Sequence, residues 1–159
     1  MATALALLLV TGTESFGRKK VDPQVEAAVI NAVKTGTFGV EMTRARTSDG
    51  AFSNATGYRI KVVDGKISGR LPYYGRGNMT SAYGVEGDNA IVFDESPIEM
   101  KIDDSKASKG RYLLSFEAKS GSSNCKVRIT IWTNRNVKVT CFPYDRSQMD
   151  YDGFLTNPY

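Results

Sequence analysis

The sequence predicts a mainly β protein: about eight antiparallel strands in a meander closing into a lipocalin-like barrel, with one short N-terminal helix. Three observations predict it. From Thr37 onward, apolar residues recur with a period of two, which puts alternate side chains on one face of a strand. The joins between these runs are mostly short and rich in turn residues, so sequence neighbours should pair antiparallel. Only residues 23–34 show helical spacing.

Asp22 suits the N-cap of that helix, and Pro23 suits the first helical position, where its missing N–H is not needed. Val25, Val29, Ala32 and Val33 form an apolar stripe, and Gly36 supplies the left-handed residue that ends the last turn. Strands are expected at 37–46, 56–63, 66–72, 90–94, 97–103, 111–118, 125–133 and 136–142. Asp64-Gly65 is a type I′ hairpin signal, and Asn134-Arg135 reads as a second two-residue turn. Tyr58, Ile60, Val62, Leu114, Phe116, Val127, Ile129, Ile131 and Val139 are expected to face one interior, and in strand 97–103 Ile98, Met100 and Ile102 alternate with Glu99, Lys101 and Asp103. An eight-stranded meander hides its edges by closing on itself. Residues 150–153 read as a turn before a last short strand, Phe154-Leu155-Thr156.

Composition narrows the function. The 159 residues are 41% hydrophobic and 24% charged, which suits one globular domain. There is no histidine, which removes Ser-His-Asp and Cys-His nucleophile pairs and the HExxH zinc motif. Lys and Arg number 21 against 17 Asp and Glu, a net charge of +4. These cations are scattered rather than clustered, so no nucleic-acid partner is expected.

Residues 4–10 are a short apolar run, too short for the roughly 20 residues that span a bilayer. Ser15 and Gly17 then stand where a signal peptidase needs small residues, with cleavage before Arg18. The expected organisation is a signal peptide at 1–17 and a single β-barrel-like domain at 18–159. The location is then periplasmic or secreted. No cysteine follows the run, so no lipid anchor is expected there.

Three segments resemble a known family. Gly57-Tyr58-Arg59-Ile60-Lys61-Val62 leads to Leu71-Pro72-Tyr73-Tyr74-Gly75-Arg76, which is similar to that family's "LPYFGRAY" segment. Gly87-Asp88-Asn89-Ala90-Ile91-Val92-Phe93-Asp94 resembles its "GGIKFD" segment. Residues 145–153, Asp145-Arg146-Ser147-Gln148-Met149-Asp150-Tyr151-Asp152-Gly153, resemble its closing "NRxxIxYxG" segment. The family is the domain of unknown function 4251 family of Bacteroidetes. The resemblance implies a small, β-rich envelope protein with an export signal; it implies no activity, cofactor or catalytic residue. The chain departs from the family in lacking the lipobox cysteine that many members carry.

Candidate chemistry is sparse. Asp150-Tyr151-Asp152-Gly153 looks like half a calcium loop, but no closing glutamate follows, so no metal site is expected. Asn54-Ala55-Thr56 and Asn78-Met79-Thr80 match a glycosylation sequon by chance. Cys125 and Cys141 fall on the two strands of one hairpin with the same parity. A two-residue turn at 134–135 offsets them by three residues, about 10 Å at strand rise. That exceeds the reach of a disulfide, so free thiols are expected, with a disulfide as the alternative if a bulge shifts the register. The long irregular stretch 73–89 holds the side chains most suited to recognition, since tyrosine and arginine dominate binding hot spots. Tyr73 shares the inward parity of Leu71 and is assigned to packing. Tyr74, Arg76 and Tyr83 are assigned to contact, with Arg146 and Tyr151, and also Tyr144, nearby.

The expected function is an exported, non-enzymatic β-barrel binding module, without a cofactor, acting as a monomer. Its ligand is a small apolar molecule or an envelope polymer. The alternatives are a structural or inhibitory partner of another envelope protein and, third, a histidine-free hydrolase. An interior pocket lined with convergent polar groups of shifted pKa favours the hydrolase, and a filled interior with a flat Tyr/Arg surface favours the structural or inhibitory partner.

Overall fold

Helix α1 (Pro23–Thr35) begins as the sequence predicts. The Asp22 carboxylate accepts from the Gln24 N–H at 2.8 Å, and Gly36 ends the helix at φ +63°. Val29 and Val33 are buried, and Ala32 packs against the same core. The computed structural model describes residues 20–74 and 90–159; the expected signal peptide and residues 75–89 lie outside them.

Among the described residues, every element after α1 is an antiparallel strand, apart from one 3-10 turn at 107–109. The strands are β1 (Phe38–Thr47), β2 (Phe52–Asn54), β3 (Arg59–Val63), β4 (Lys66–Leu71), β5 (Ile91–Pro97), β6 (Lys101–Asp103), β7 (Arg111–Ser120), β8 (Ser123–Trp132), β9 (Asn136–Pro143) and β10 (Met149–Thr156). Nine run in the order β5-β4-β3-β1-β10-β9-β8-β7-β6, and β2 pairs with β1 beside that path. The result is a curled antiparallel half-barrel with one N-terminal helix. The first and last strands pair, as a closed meander requires, so the open seam falls between β5 and β6.

Two hydroxyls stitch that seam. The Lys119 N–H donates to Ser96 Oγ at 2.8 Å, and the Val92 N–H donates to Ser120 Oγ at 3.2 Å. Side chains thus satisfy edge groups of β5 and β7 that no backbone ladder reaches. The exposed edge at β6 is three residues long and carries Lys101 and Asp103, which discourages pairing with another chain.

Four expectations are corrected. Strand 97–103 is cut to Lys101–Asp103, because residues 98–100 cross the seam and have no partner strand. Ile98 and Met100 still pack on the core, but Ile102 is 45% exposed. Two strands escaped the sequence reading: β2, and the first half of β10. The Asp150-to-Gly153 segment is strand, not turn, since Met149 and Tyr151 point inward while Asp150 and Asp152 face arginines of β1. The β8–β9 connection has three residues, not two. Ile131 pairs with Val137, and Arg135 adopts φ +75°, the left-handed third position of such loops.

Bulges bend the sheet. Register shifts lie between Met42 and Arg44 in β1 and between Ile67 and Gly69 in β4. Glycine is required at both. A Cβ on Gly153, opposite the first bulge, collides with the Glu41 carbonyl, and one on Gly69 lies 2.7 Å from Ile60 Cα. The resulting core is one cluster, with Tyr151, Phe38, Met42, Ile60, Leu114, Ile129, Ile131 and Met149 fully buried. Of the nine expected core residues, eight are buried, and Tyr58 packs against them partly exposed.

Burial of this kind sets the first expectation. Ile129→Ala should cost about 2–5 kcal/mol in chemical denaturation, because the lost contacts leave a cavity between paired strands. A loss below about 0.5 kcal/mol, the surface level, contradicts its interior position.

Candidate functional site

The two ends of the half-barrel differ. Helix α1 and the turns at 64–65 and 134–135 lie at one end; the other gathers residues 72–74, the 143–149 turn and β2. Most of the exposed large aromatics lie at this second end, and their placement starts from the core. The Tyr151 hydroxyl, fully buried, donates to the Pro72 carbonyl at 2.7 Å. Burial pushes its pKa far up, so it stays a donor. Tyr151 is therefore corrected from a contact residue to the internal post that carries the 72–74 segment.

Tyr73 packs inward, as its parity predicts, and is 8% exposed. Its hydroxyl donates to the Ser147 carbonyl at 3.2 Å, and the Arg146 guanidinium lies 4.9 Å from its ring centre. Burial raises the Tyr73 pKa. Arg146 is half-buried and also meets Asp145 at 3.4 Å. It therefore clamps the segment rather than standing free for a ligand. Tyr74 turns outward, 49% exposed, with its hydroxyl 3.4 Å from the Asn54 carbonyl of β2. Arg76 and Tyr83 lie outside the described residues.

The structure adds contacts that the sequence reading missed. Phe52 on β2 is 56% exposed, with Arg44 at 4.6 Å and Arg46 at 5.8 Å from its ring centre. Arg44 binds Asp152 at 2.7 Å, and Arg46 binds Asp150 at 3.1 Å. The ladder forces these pairs, since each arginine stands directly opposite its aspartate. An isolated phenylalanine in the polar stretch 47–57 was the available signal, hidden because the stretch reads as a loop.

On the other side of Arg146, Tyr144 is 57% exposed and donates to the Glu117 carboxylate at 3.0 Å. That hydrogen bond raises its pKa. Lys126 lies 5.9 Å from the Tyr144 ring centre. Glu117 and Lys126 also line a cleft of about 680 Å³ on the outer face of β7–β9, with Lys101, Arg128, Phe142 and the apolar lip Pro97-Ile98. Phe52, Tyr74, Tyr73, Arg146 and Tyr144 therefore form one arc along the rim, and Tyr144 joins it to the cleft.

A second cleft, about 580 Å³, lies between α1 and residues 155–159. Its charged lining groups are already engaged. Asp22 caps the helix, and Arg135 donates to the Leu155 carbonyl at 3.1 and 2.8 Å. Among the described residues, no group of three or more His, Cys, Asp or Glu is placed to hold a metal.

The chain's relatives are consistent with this architecture. A family profile described as domain of unknown function (DUF4251) matches residues 20–155. The chain is similar to a crystal structure of a DUF4251 family protein from Bacteroides eggerthii. The TM-score is 0.62 at 18% identity, over 86% of this chain and 89% of that one. At that identity the likeness speaks for the fold. No curated protein matches.

Two measurements probe how the rim is held. Tyr151→Phe leaves the Pro72 carbonyl unpaired in the core and should cost about 1–3 kcal/mol, while the circular dichroism of the sheet stays native. Asp150 gives a pH signature. Burial opposes its ionisation, but Thr140, Arg46, Lys138 and Gln148 outweigh that, so its pKa falls below the usual aspartate value. A depressed folded pKa contributes stability above the unfolded value, and that contribution disappears as pH falls through the folded one. The stability advantage of the native chain over Asp150→Asn should hold steady down to about pH 5 and close below about pH 4. An advantage that is flat down to acid unfolding contradicts this.

Proposed function

The chain belongs to the DUF4251 family, and from that premise and the rim geometry we propose that it is an exported, non-enzymatic module that binds an envelope polymer along its rim. The observation that carries this reading is the arc of aromatics above a filled interior. Tyr151, Phe38, Met42 and Ile129 occupy the space where a lipocalin-like barrel holds a small apolar ligand. Recognition then falls to the outside, where Phe52, Tyr74 and Tyr144 offer rigid apolar faces.

The shape of the surface suits an elongated partner. An arc continued by a cleft contacts successive units of a chain, whereas a compact ligand fills one pocket. Lys101, Lys126 and Arg128 outnumber Glu99 and Glu117 in the cleft, which favours acidic units. Export rests on the apolar run at 4–10 followed by Ser15-Phe16-Gly17, in keeping with the export signals that the family resemblance implies. The non-enzymatic reading rests on the absence of histidine and on the surface carboxylates of β10 being held by arginines. Among the described residues no helix is long and apolar enough to cross a membrane.

Purified protein should co-sediment with isolated cell-wall sacculi or bind immobilised acidic glycans. The double variant Phe52→Ala/Tyr74→Ala should weaken that binding at least about tenfold with a nearly unchanged melting temperature. Native protein should begin at Arg18 on N-terminal sequencing. Binding untouched by the double variant places recognition elsewhere, and a native chain beginning at Met1 ends the export reading.

A further inference from the structure

We propose that the cleft on the outer face of β7–β9 is a subsite for one uronic-acid unit of the partner polymer, its carboxylate held between Lys101 and Arg128. The inference deepens the rim reading and rests on it. Tyr144 donates to Glu117, which lines the cleft, so a chain lying along the aromatic arc runs on into it.

The ladder builds the anion end of the subsite. Lys101, Ser115 and Arg128 stand directly opposite one another on three neighbouring strands, β6, β7 and β8, and all three line the cleft. Adjacent strands lie about 4.8 Å apart, so the two cations flank the serine with about 10 Å between their backbones. A carboxylate fits between two long side chains at that spacing. The planar guanidinium of Arg128 offers it two parallel hydrogen bonds. Lys126 follows Arg128 on the same face, two residues away.

The neighbouring half of the same face neutralises itself. Arg44 meets Asp152 at 2.7 Å, and Arg46 and Lys138 meet Asp150 at 3.1 and 3.7 Å. Among the described residues, Lys101, Lys126 and Arg128 form no such ion pair. Arg128 instead lies 5.7 Å from the Phe142 ring centre, and Lys126 lies 5.9 Å from that of Tyr144. The rings restrain both cations without cancelling their charge.

The rest of the lining points to a sugar rather than a bare anion. Glu99 and Glu117 share the cleft, so three cations against two carboxylates leave one unit of positive charge. A polyanion would bring its charge against both glutamates. A sugar with a single carboxylate matches the balance, and its hydroxyls donate to the glutamates. Phe142 and the apolar lip Pro97-Ile98 give the flat side of a pyranose a surface to pack on. The volume of about 680 Å³ lies in the range of small-ligand sites.

The test is an NMR titration of the purified protein with trigalacturonate, its trimethyl ester and inorganic phosphate. Trigalacturonate should shift the amides of Lys101, Ser115, Lys126, Arg128 and Phe142 together. The ester keeps the rings and loses the charge, and phosphate keeps the charge and loses the rings; each should bind at least about tenfold more weakly. Arg128→Gln should weaken trigalacturonate binding at least about tenfold with the circular dichroism unchanged. Lys61→Gln, which removes the same charge from the exposed face of β3, should leave that binding unchanged. Lys101→Gln serves as the second variant if Arg128→Gln does not fold. No shift in the cleft, an ester or phosphate that binds as well as the acid, or equal weakening by Arg128→Gln and Lys61→Gln each overturns the proposal. The two readings fail separately. Polymer binding that depends on Phe52 and Tyr74, without trigalacturonate in the cleft, overturns this inference alone. Trigalacturonate in the cleft, with polymer binding indifferent to Phe52 and Tyr74, supports the subsite and overturns the aromatic arc alone.

Discussion

Strand β1 hydrogen-bonds to three other strands, and the rest of the sheet takes its place from that. Its ladder with β10 covers Gly39 to Thr47 on one side. On the other, β3 holds its first half and β2 its second. A chain whose first and last strands are neighbours has its termini joined and must break elsewhere. The break lies between β5 and β6, where two serine hydroxyls replace a ladder. The bulge between Met42 and Arg44 sits in this same strand, opposite Gly153, so the curl of the half-barrel is also set here.

The β1–β10 ladder has two faces with different energetic weight. Inward, Val40, Met42 and Ala45 meet Tyr151, Met149 and Leu155 in a continuous core. Each large apolar side chain buried this way contributes about 1.5–3 kcal/mol. Outward, Arg44 and Arg46 meet Asp152 and Asp150. The Arg44–Asp152 pair is about half exposed and worth little in stability, whereas Asp150 of the Arg46 pair is mostly buried. Their effect is on register and on the surface: they hold two guanidinium groups against Phe52 and keep that ring on the outside.

The two ends of the half-barrel contrast. Among the described residues the interior is filled by the side chains of one core cluster, to which α1 adds Val29 and Val33. The other mouth is roofed by residues 72–74, and two tyrosine hydroxyls anchor that roof from below. Tyr151 holds Pro72, and Tyr73 holds Ser147. The segment that resembles the family's most specific stretch is therefore both architecture and surface. Tyr73 and Tyr74 divide those roles because adjacent residues in an extended chain face opposite ways.

Period-two spacing determined most of the strands, their inward faces and the split between Tyr73 and Tyr74; helical spacing with Asp22, Pro23 and Gly36 determined helix α1 and its caps. These are local properties, written in residues a few positions apart. The shared odd parity of Cys125, Val127, Val139 and Cys141 also spoke against a two-residue loop between β8 and β9. Directly opposite residues share a face, so a two-residue loop, which pairs odd with even positions, already conflicts with two odd-numbered inward faces. Tertiary structure alone decided what depends on distant partners. Residues 149–153 are strand because Arg44 and Arg46 stand opposite Asp152 and Asp150, more than a hundred positions away, and no local pattern announces that. Phe52 belongs to the rim because β1 offered its free edge to β2. Tyr151 lies inside because β10 presents it to the core beneath Pro72. The seam lies between β5 and β6 because the first and last strands satisfy each other's hydrogen bonds, a choice made by the whole chain at once.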